Sequence, residues 1–243
     1  MRDLLILIMN IYLRPSKTFL FDRVERSLKR CPGEVGLDAA SADFKTRRMF
    51  KTKKYYGLDF SLDSLKAGVK RYDNENTFGI YADMLDLSGI PAGSADVIVS
   101  TNTLYSIPDQ LKAIGNLCRL VKTGGTFLCE IPKDNKLEES LAALKNNFKD
   151  VSAIYYKNIL SRLYERIFEK DGYLGSHAIA SRKPFLALVW LLSRIEYLTC
   201  RLAFLNVHVL VVCRGKNTGE DNPFDLSPHP LIENKIYNLL GNK

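Results

Sequence analysis

Apolar positions recur along this chain in two rhythms. Between Lys17 and Arg30 the residues Phe19, Leu20, Val24 and Leu28 fall near helical spacing, and Pro32-Gly33 stops the pattern. Short apolar runs then follow, each ending in polar or small residues: Val35 to Ala39, Tyr55 to Asp59, Thr77 to Tyr81, Ala95 to Ser100 and Thr126 to Ile131. Helical segments lie between them. Asp43 is placed to cap one that runs through Phe50, and Ser61 to cap Leu62 to Tyr72, whose buried side is Leu62, Leu65 and Val69. Asp109 to Val121 is a third, with Leu111, Ile114, Leu117, Leu120 and Val121 on one side before Gly124-Gly125. Strands alternating with helices predict an α/β fold with a doubly wound, mostly parallel sheet.

After Pro132 the rhythm changes. Leu137 to Phe148 reads as a helix, and Val151 to Tyr156 and Val207 to Cys213 as the sixth and seventh strands. The roughly 50 residues between these two strands are too many for an ordinary connection, which predicts a helical insertion over 158–206. The expected organisation is one domain over 1–214 containing that insertion, then a tail, 215–243, with a short amphipathic segment from Leu231 to Leu240.

Composition narrows the class. With 243 residues, 46% hydrophobic and 26% charged, the chain can bury one sizeable core and belongs with soluble globular proteins. Leu4 to Met9 is too short to span a bilayer, and Arg194, Glu196 and Arg201 interrupt the apolar run from Phe185 to Leu205, so no spanning helix is expected. The five cysteines show no C-x-x-C spacing, which points away from zinc sites and disulfide frameworks and towards a reducing, cytoplasmic compartment. The formal charge of +8 gathers in Lys45, Arg47, Arg48, Lys51, Lys53 and Lys54, and again between Lys157 and Lys183. Such clusters read either as solvated helix faces or as sites for an anionic ligand or membrane. No nucleic-acid-binding motif accompanies them.

The stretch with the most chemistry is Val35 to Ser61: strand, small-residue loop, helix, strand, acid. In a nucleotide-binding βαβ unit the loop after the first strand meets the ligand, and an acid about 20 residues on takes ribose hydroxyls. Asp59 stands in that place, but Ala40, Ala42 and Phe44 occupy the positions where a G-x-G-x-G loop has glycine. Two arrangements are open. Either these residues adopt positive φ at a cost of about 1 kcal/mol or more each, or the alanines lie at negative φ and Phe44 opens the helix.

Three further segments carry a resemblance: Ile90-Pro91-Ala92-Gly93-Ser94-Ala95-Asp96-Val97-Ile98-Val99-Ser100, Leu104-Tyr105-Ser106-Ile107-Pro108-Asp109, and Leu120-Val121-Lys122-Thr123-Gly124-Gly125-Thr126. With Tyr56-Gly57-Leu58-Asp59-Phe60-Ser61, they resemble a class I S-adenosylmethionine-dependent methyltransferase of small-molecule type, over roughly Gly33 to Ile131, with a glycine-depleted cofactor loop. The resemblance implies a seven-stranded Rossmann-like sheet and a role for S-adenosylmethionine. It implies that Asp59 holds the ribose hydroxyls, that Asp83 takes the adenine amine with Met84 against the ring, and that Asp38 and the loop at Ala40 lie by the methionine part. Ser100 to Asn102 would line the path to the acceptor.

The family's histidine after the fourth strand is replaced here by Tyr105-Ser106, so no general base is visible; His177 and then Tyr105 are the candidates. His208, inside an apolar strand, reads as structural. In the insertion, Leu160, Leu163, Tyr164 and Ile167 are spaced for one helix face alongside Arg162, Arg166 and Lys170, which suits either a helical cap or dimer contact, or a small or glycan-like acceptor, lipid-linked or phosphorylated. The same segment suits peripheral contact with an anionic membrane at its inner face. Two rival functions remain beside methyl transfer: an inactive methyltransferase-fold scaffold and a nicotinamide-dependent Rossmann enzyme.

Overall fold

The computed structural model describes residues 14–73, 76–170, 173–174 and 183–241. The apolar terminus at Leu4 to Met9 and the candidate base His177 lie outside these residues. Helix α1 (Pro15–Leu28) precedes β1 (Gly33–Ala39), β2 (Thr52–Asp59), α2 (Leu62–Arg71), β3 (Thr77–Tyr81) and β4 (Ala95–Ser100). Then come α3 (Gln110–Leu120), β5 (Val121–Pro132), α4 (Leu137–Asn147), β6 (Phe148–Asn158), α5 (Ile159–Phe168), β7 (Glu169–Lys170), β8 (Tyr173–Leu174), α6 (Lys183–Thr199), β9 (Asn206–Lys216), β10 (Leu231–Glu233) and β11 (Ile236–Asn238).

The main sheet has nine strands rather than seven, in the order β10-β11-β3-β2-β1-β4-β5-β9-β6. β2 and β4 flank β1, and both pairs are parallel, so the winding direction reverses at β1. In open α/β sheets ligands bind at the carboxyl ends of the strands at such a reversal. The two additional strands come from the 215–243 segment: β11 pairs parallel with β3 and antiparallel with β10.

The chain forms two compact units, one of residues 27–152 and 211–243, the other of residues 1–26 and 153–210. The first holds the strands around the reversal. Its core is filled from both sides of each strand, as a parallel sheet covered by helices requires: Leu37, Ile98, Val99, Phe127 and Leu128 are all fully buried. Its helix starts follow the sequence signals at Ser61, whose hydroxyl accepts from the Ser64 amide, and at Asp109, which accepts from Lys112. Asp43 is the exception. Its carboxylate and carbonyl both take the Arg71 guanidinium, so it caps nothing, and the helix expected through Phe50 shrinks to a 3-10 turn over Arg47–Met49.

In the second unit Phe19 of α1 packs edge-on against Tyr197 and stacks on Tyr156. α5 and α6 meet along Tyr164, Phe168, Val189, Leu186 and Leu192, with Phe185 edge-on to Phe168. Among the described residues the segment expected as an insertion carries α5 and α6, together with a small antiparallel pair, β7 with β8, that sequence did not show.

Candidate functional site

At the mouth of β1 the backbone resolves the alternative left open by sequence. Ala40, Ala42 and Phe44 have φ of 61°, 46° and 62°, all in the left-handed region that glycine occupies freely. Each non-glycine residue there carries roughly 1–2 kcal/mol of strain. The loop therefore keeps the alternating shape of a glycine loop without its glycines. Phe44 does not open a helix.

Several contacts hold that shape. The Ala42 amide donates to Asp59 Oδ2 at 2.8 Å, and Asp59 Oδ1 accepts the Ser61 amide at 2.9 Å. The Ser41 amide donates to the Leu58 carbonyl at 3.0 Å, and the Phe44 amide closes a turn onto the Ser41 carbonyl. The Phe44 ring is fully buried, edge-on to Tyr55. It fits because glycine has moved elsewhere: a Cβ on Gly57 of β2 would stand 2.1 Å from the ring, and one on Gly68 of α2 2.6 Å. A fully buried ring thus fills the space that two glycines leave between β2 and α2.

Asp38 lies beneath this loop rather than in its mouth. Only 2% exposed, it accepts the Tyr55 phenol at 2.8 Å and the Thr46 hydroxyl through the same Oδ2. Burial pushes its carboxyl up to about 6, against the lowering effect of the Thr46 and Tyr55 hydrogen bonds and with a further push from the Asp59 charge. Burial and the Asp38 charge also raise the Tyr55 phenol well above its ordinary value. Arg47, from the basic cluster, is drawn into the same region, stacking over Tyr55 and donating to Thr77 at 2.9 Å. Lys45, Arg48, Lys51, Lys53 and Lys54 stay exposed.

The other strand ends add their groups. Asp83, after β3, is exposed and turns the chain by accepting the Leu85 amide; Met84 is buried, its carbonyl taken by Asn116 at 2.9 Å. Ser100 ends β4, fully buried, and its hydroxyl has no hydrogen-bond partner among the described residues. Asn102 follows with φ of 62° and a buried, unpartnered Oδ1. Its amide donates to Glu130 Oε2 of β5 at 2.7 Å.

Sequence reading missed Asn102 as a left-handed residue and missed Glu130, an acid 1% exposed inside an apolar strand. Its position between Cys129 and Ile131 was the available signal, since acids are seldom buried there without work to do. Sequence reading also missed Thr46 and Tyr55 as the partners of Asp38. Tyr105, 56% exposed, sits on a 3-10 turn over Leu104–Ser106.

These observations test the fit of a nucleoside cofactor. Asp59 presents two acceptor oxygens with lone pairs beyond those the loop amides use, and Ser100 and Asn102 leave buried polar atoms unpaired near the strand reversal. The residues present fit such a group.

The family profile described as "Methyltransferase domain" matches residues 31–172. The chain belongs to this family, and its fold is that of the class I S-adenosylmethionine-dependent methyltransferases. An uncharacterized chloroplastic methyltransferase of Arabidopsis thaliana is 28% identical over 118 residues, covering 44% of this chain and 34% of that protein. Demethylmenaquinone methyltransferase of Staphylococcus aureus is 28% identical over 121 residues, 49% of this chain and 46% of its own length. This chain thus matches less than half the length of either curated relative. Among solved structures, the N-methyltransferase NodS of Bradyrhizobium japonicum, in complex with S-adenosyl-L-homocysteine, superposes with a TM-score of 0.55 at 13% identity, covering 83% of this chain and 88% of that one.

Proposed function

We propose that this protein transfers a methyl group from S-adenosylmethionine to a small or glycan-like acceptor carried on a lipid, working peripherally at the inner face of an anionic membrane. The observation that carries the cofactor half of the reading is the loop: three non-glycine residues held at positive φ beside Asp59. Backbone strain of this kind persists where surrounding contacts over-determine it, and it clusters at ligand sites. S-adenosylmethionine, when bound, supplies a methyl group activated on a sulfonium. Asp59 accepts the ribose hydroxyls, the turn from Ala40 to Ala42 cradles the methionine part above Asp38, and Asp83 with Met84 receives the adenine. Ser100 and Asn102 line the route to the acceptor.

Displacement of a methyl group from a sulfonium runs largely on alignment and exclusion of water, so the chain's main task is positioning. A hydroxyl acceptor gains from a base, and His177 and Tyr105 are the residues to replace first. The acceptor reading rests on the 158–206 segment, whose exposed apolar residues stand among arginines. Calorimetry with S-adenosylhomocysteine tests the cofactor half: heat of binding is expected, and Asp59→Ala should abolish it. No heat at millimolar ligand would sink the enzyme reading in favour of an inactive scaffold.

A further inference from the structure

Outside the apolar seam they share, α5 and α6 bury polar groups and expose apolar ones. The inward face of α5 carries Ser161, Tyr164 and Glu165, while Ile159, Leu163 and Ile167 are 65%, 54% and 61% exposed. On α6 the residues Ser193 and Glu196 are buried, whereas Trp190, Leu191 and Leu198 are 58%, 52% and 79% exposed. A helix against a protein core ordinarily shows the reverse arrangement.

The two buried acids of these helices are both engaged within the chain. Glu196 accepts the amides of Lys157 and Asn158 at 3.0 Å each, and burial raises its carboxyl above the ordinary range against those bonds. Glu165 pairs with Lys157 at 3.0 Å and accepts the Ser16 hydroxyl. Both acids of the described helical residues, 159–168 and 184–199, are therefore turned inward. The charged residues left outside are Arg162, Arg166 and Arg194, joined by Arg201 just beyond α6. On α5 the helical spacing sets Ile159, Leu160, Leu163 and Ile167 in one stripe, bordered on one side by Arg162 and Arg166 and on the other by the Tyr164 seam. A groove of about 580 Å³ runs along the arginine border, lined by Lys157, Ile159, Arg162, Leu163, Glu165 and Arg166. The Arg194 guanidinium lies over the Trp190 ring, 5.1 Å from its centre.

We propose that this face seats on an anionic lipid bilayer, its leucines, isoleucines and Trp190 entering the headgroup boundary and its arginines meeting lipid phosphates along the groove. Charge chooses this occupant. A bilayer with anionic headgroups supplies an apolar interior and negative charge together, and interfacial helices with tryptophan and arginine use both. A second copy of the chain would set arginine against arginine in a two-fold contact with no exposed acid on either helix to answer them. No described helix is long and apolar enough to cross the membrane, which is consistent with a seat on its surface. The inference names the membrane partner of the function proposed above, but it does not depend on cofactor binding.

Trp190 is the only tryptophan of the sequence, so its emission reports this face alone. With the full chain, vesicles of phosphatidylcholine and phosphatidylglycerol at low salt should shift that emission to the blue and carry the protein upward on flotation. Pure phosphatidylcholine vesicles, or about 0.5 M salt, should reduce binding at least tenfold. Leu163→Glu and Leu191→Glu should each weaken binding by about tenfold or more, with an unchanged melting temperature because both sites are exposed. Unchanged Trp190 emission and no flotation with anionic vesicles would overturn the proposal, as would a stable dimer in solution that Leu191→Glu dissociates. S-adenosylhomocysteine heat measured on the same sample separates the outcomes: its persistence without vesicle binding removes the membrane inference alone.

Discussion

In the loop from Asp38 to Asp59, residues that look out of place in sequence find their compensation nearby. Phe44 stands where glycine is expected, and Gly57 and Gly68 make room for its ring; Ala42 is strained, and Asp59 holds its amide. In α5 and α6 the imbalance is settled only on one side. Glu165 and Glu196 are paired within the chain, while Leu163, Ile167, Leu191 and Leu198 stay exposed and Arg194 lies only over rings of its own helix, Trp190 and Tyr197. The contrast separates two meanings of a broken sequence rule. A violation closed by local contacts reports an altered site, and one left open at the surface reports a partner.

The sharpest way to break the first half of this contrast is a pair of substitutions. Phe44→Ala should cost about 3–5 kcal/mol, because a fully buried ring leaves a cavity. Gly57→Ala alone should cost about 1–3 kcal/mol or more, since its Cβ would overlap the ring. Combined, they should cost less than the sum by roughly 1–3 kcal/mol, because the added methyl enters space the ring has left. Urea unfolding of the four proteins gives the coupling; strict additivity would mean that glycine has not moved to serve the ring.

Acidity offers a second, smaller test. The folded carboxyl of Asp38 titrates near 6, above the 3.8 of an ordinary aspartate, so the native state holds this proton more tightly than the unfolded chain does. Its contribution to stability is therefore complete below about pH 3.8 and is lost as pH rises through about 6, amounting to about 3 kcal/mol. Asp38→Asn should flatten that part of the stability profile by a similar amount. An unchanged slope between about pH 4 and 6 would show that Asp38 is not sealed under the loop.

The smallest expected effect sharpens the question of strain. Ala42→Gly relieves a left-handed alanine and should stabilise the protein by about 0.5–1 kcal/mol, read as a rise in melting temperature with S-adenosylhomocysteine heat retained. A fall in stability would mean that the surroundings favour the methyl group more than the backbone resists it.

Much of the fold was legible because apolar rhythm and caps agree with the tertiary structure. The five strands around the reversal, the Ser61 and Asp109 caps and the helical insertion are where the pattern puts them. The site was half legible. Spacing pointed to Asp59 and only the resemblance to Asp83, and whether Ala40, Ala42 and Phe44 would bend or be avoided depended on Gly57 and Gly68, which come from other elements. The Asp43 cap failed for the same reason, because a distant Arg71 claims the carboxylate. Glu130 escaped because an acid inside an apolar run gives no sign of which amide it will meet.

The segment after Lys216 also bears on how the protein survives in a crowded solution. Thr123 donates its amide to Asp221 at 2.7 Å, Asn222 reaches the Ala92 carbonyl, Phe224 tilts onto Tyr56, and β11 then lies along β3 with Tyr237 opposite Ile80. Without these residues β3 would end the sheet, offering a row of unpaired amides and carbonyls to any passing chain. A protein shortened at residue 214 should therefore pass from a dispersed solution to aggregates through that open margin, even with the cofactor loop intact.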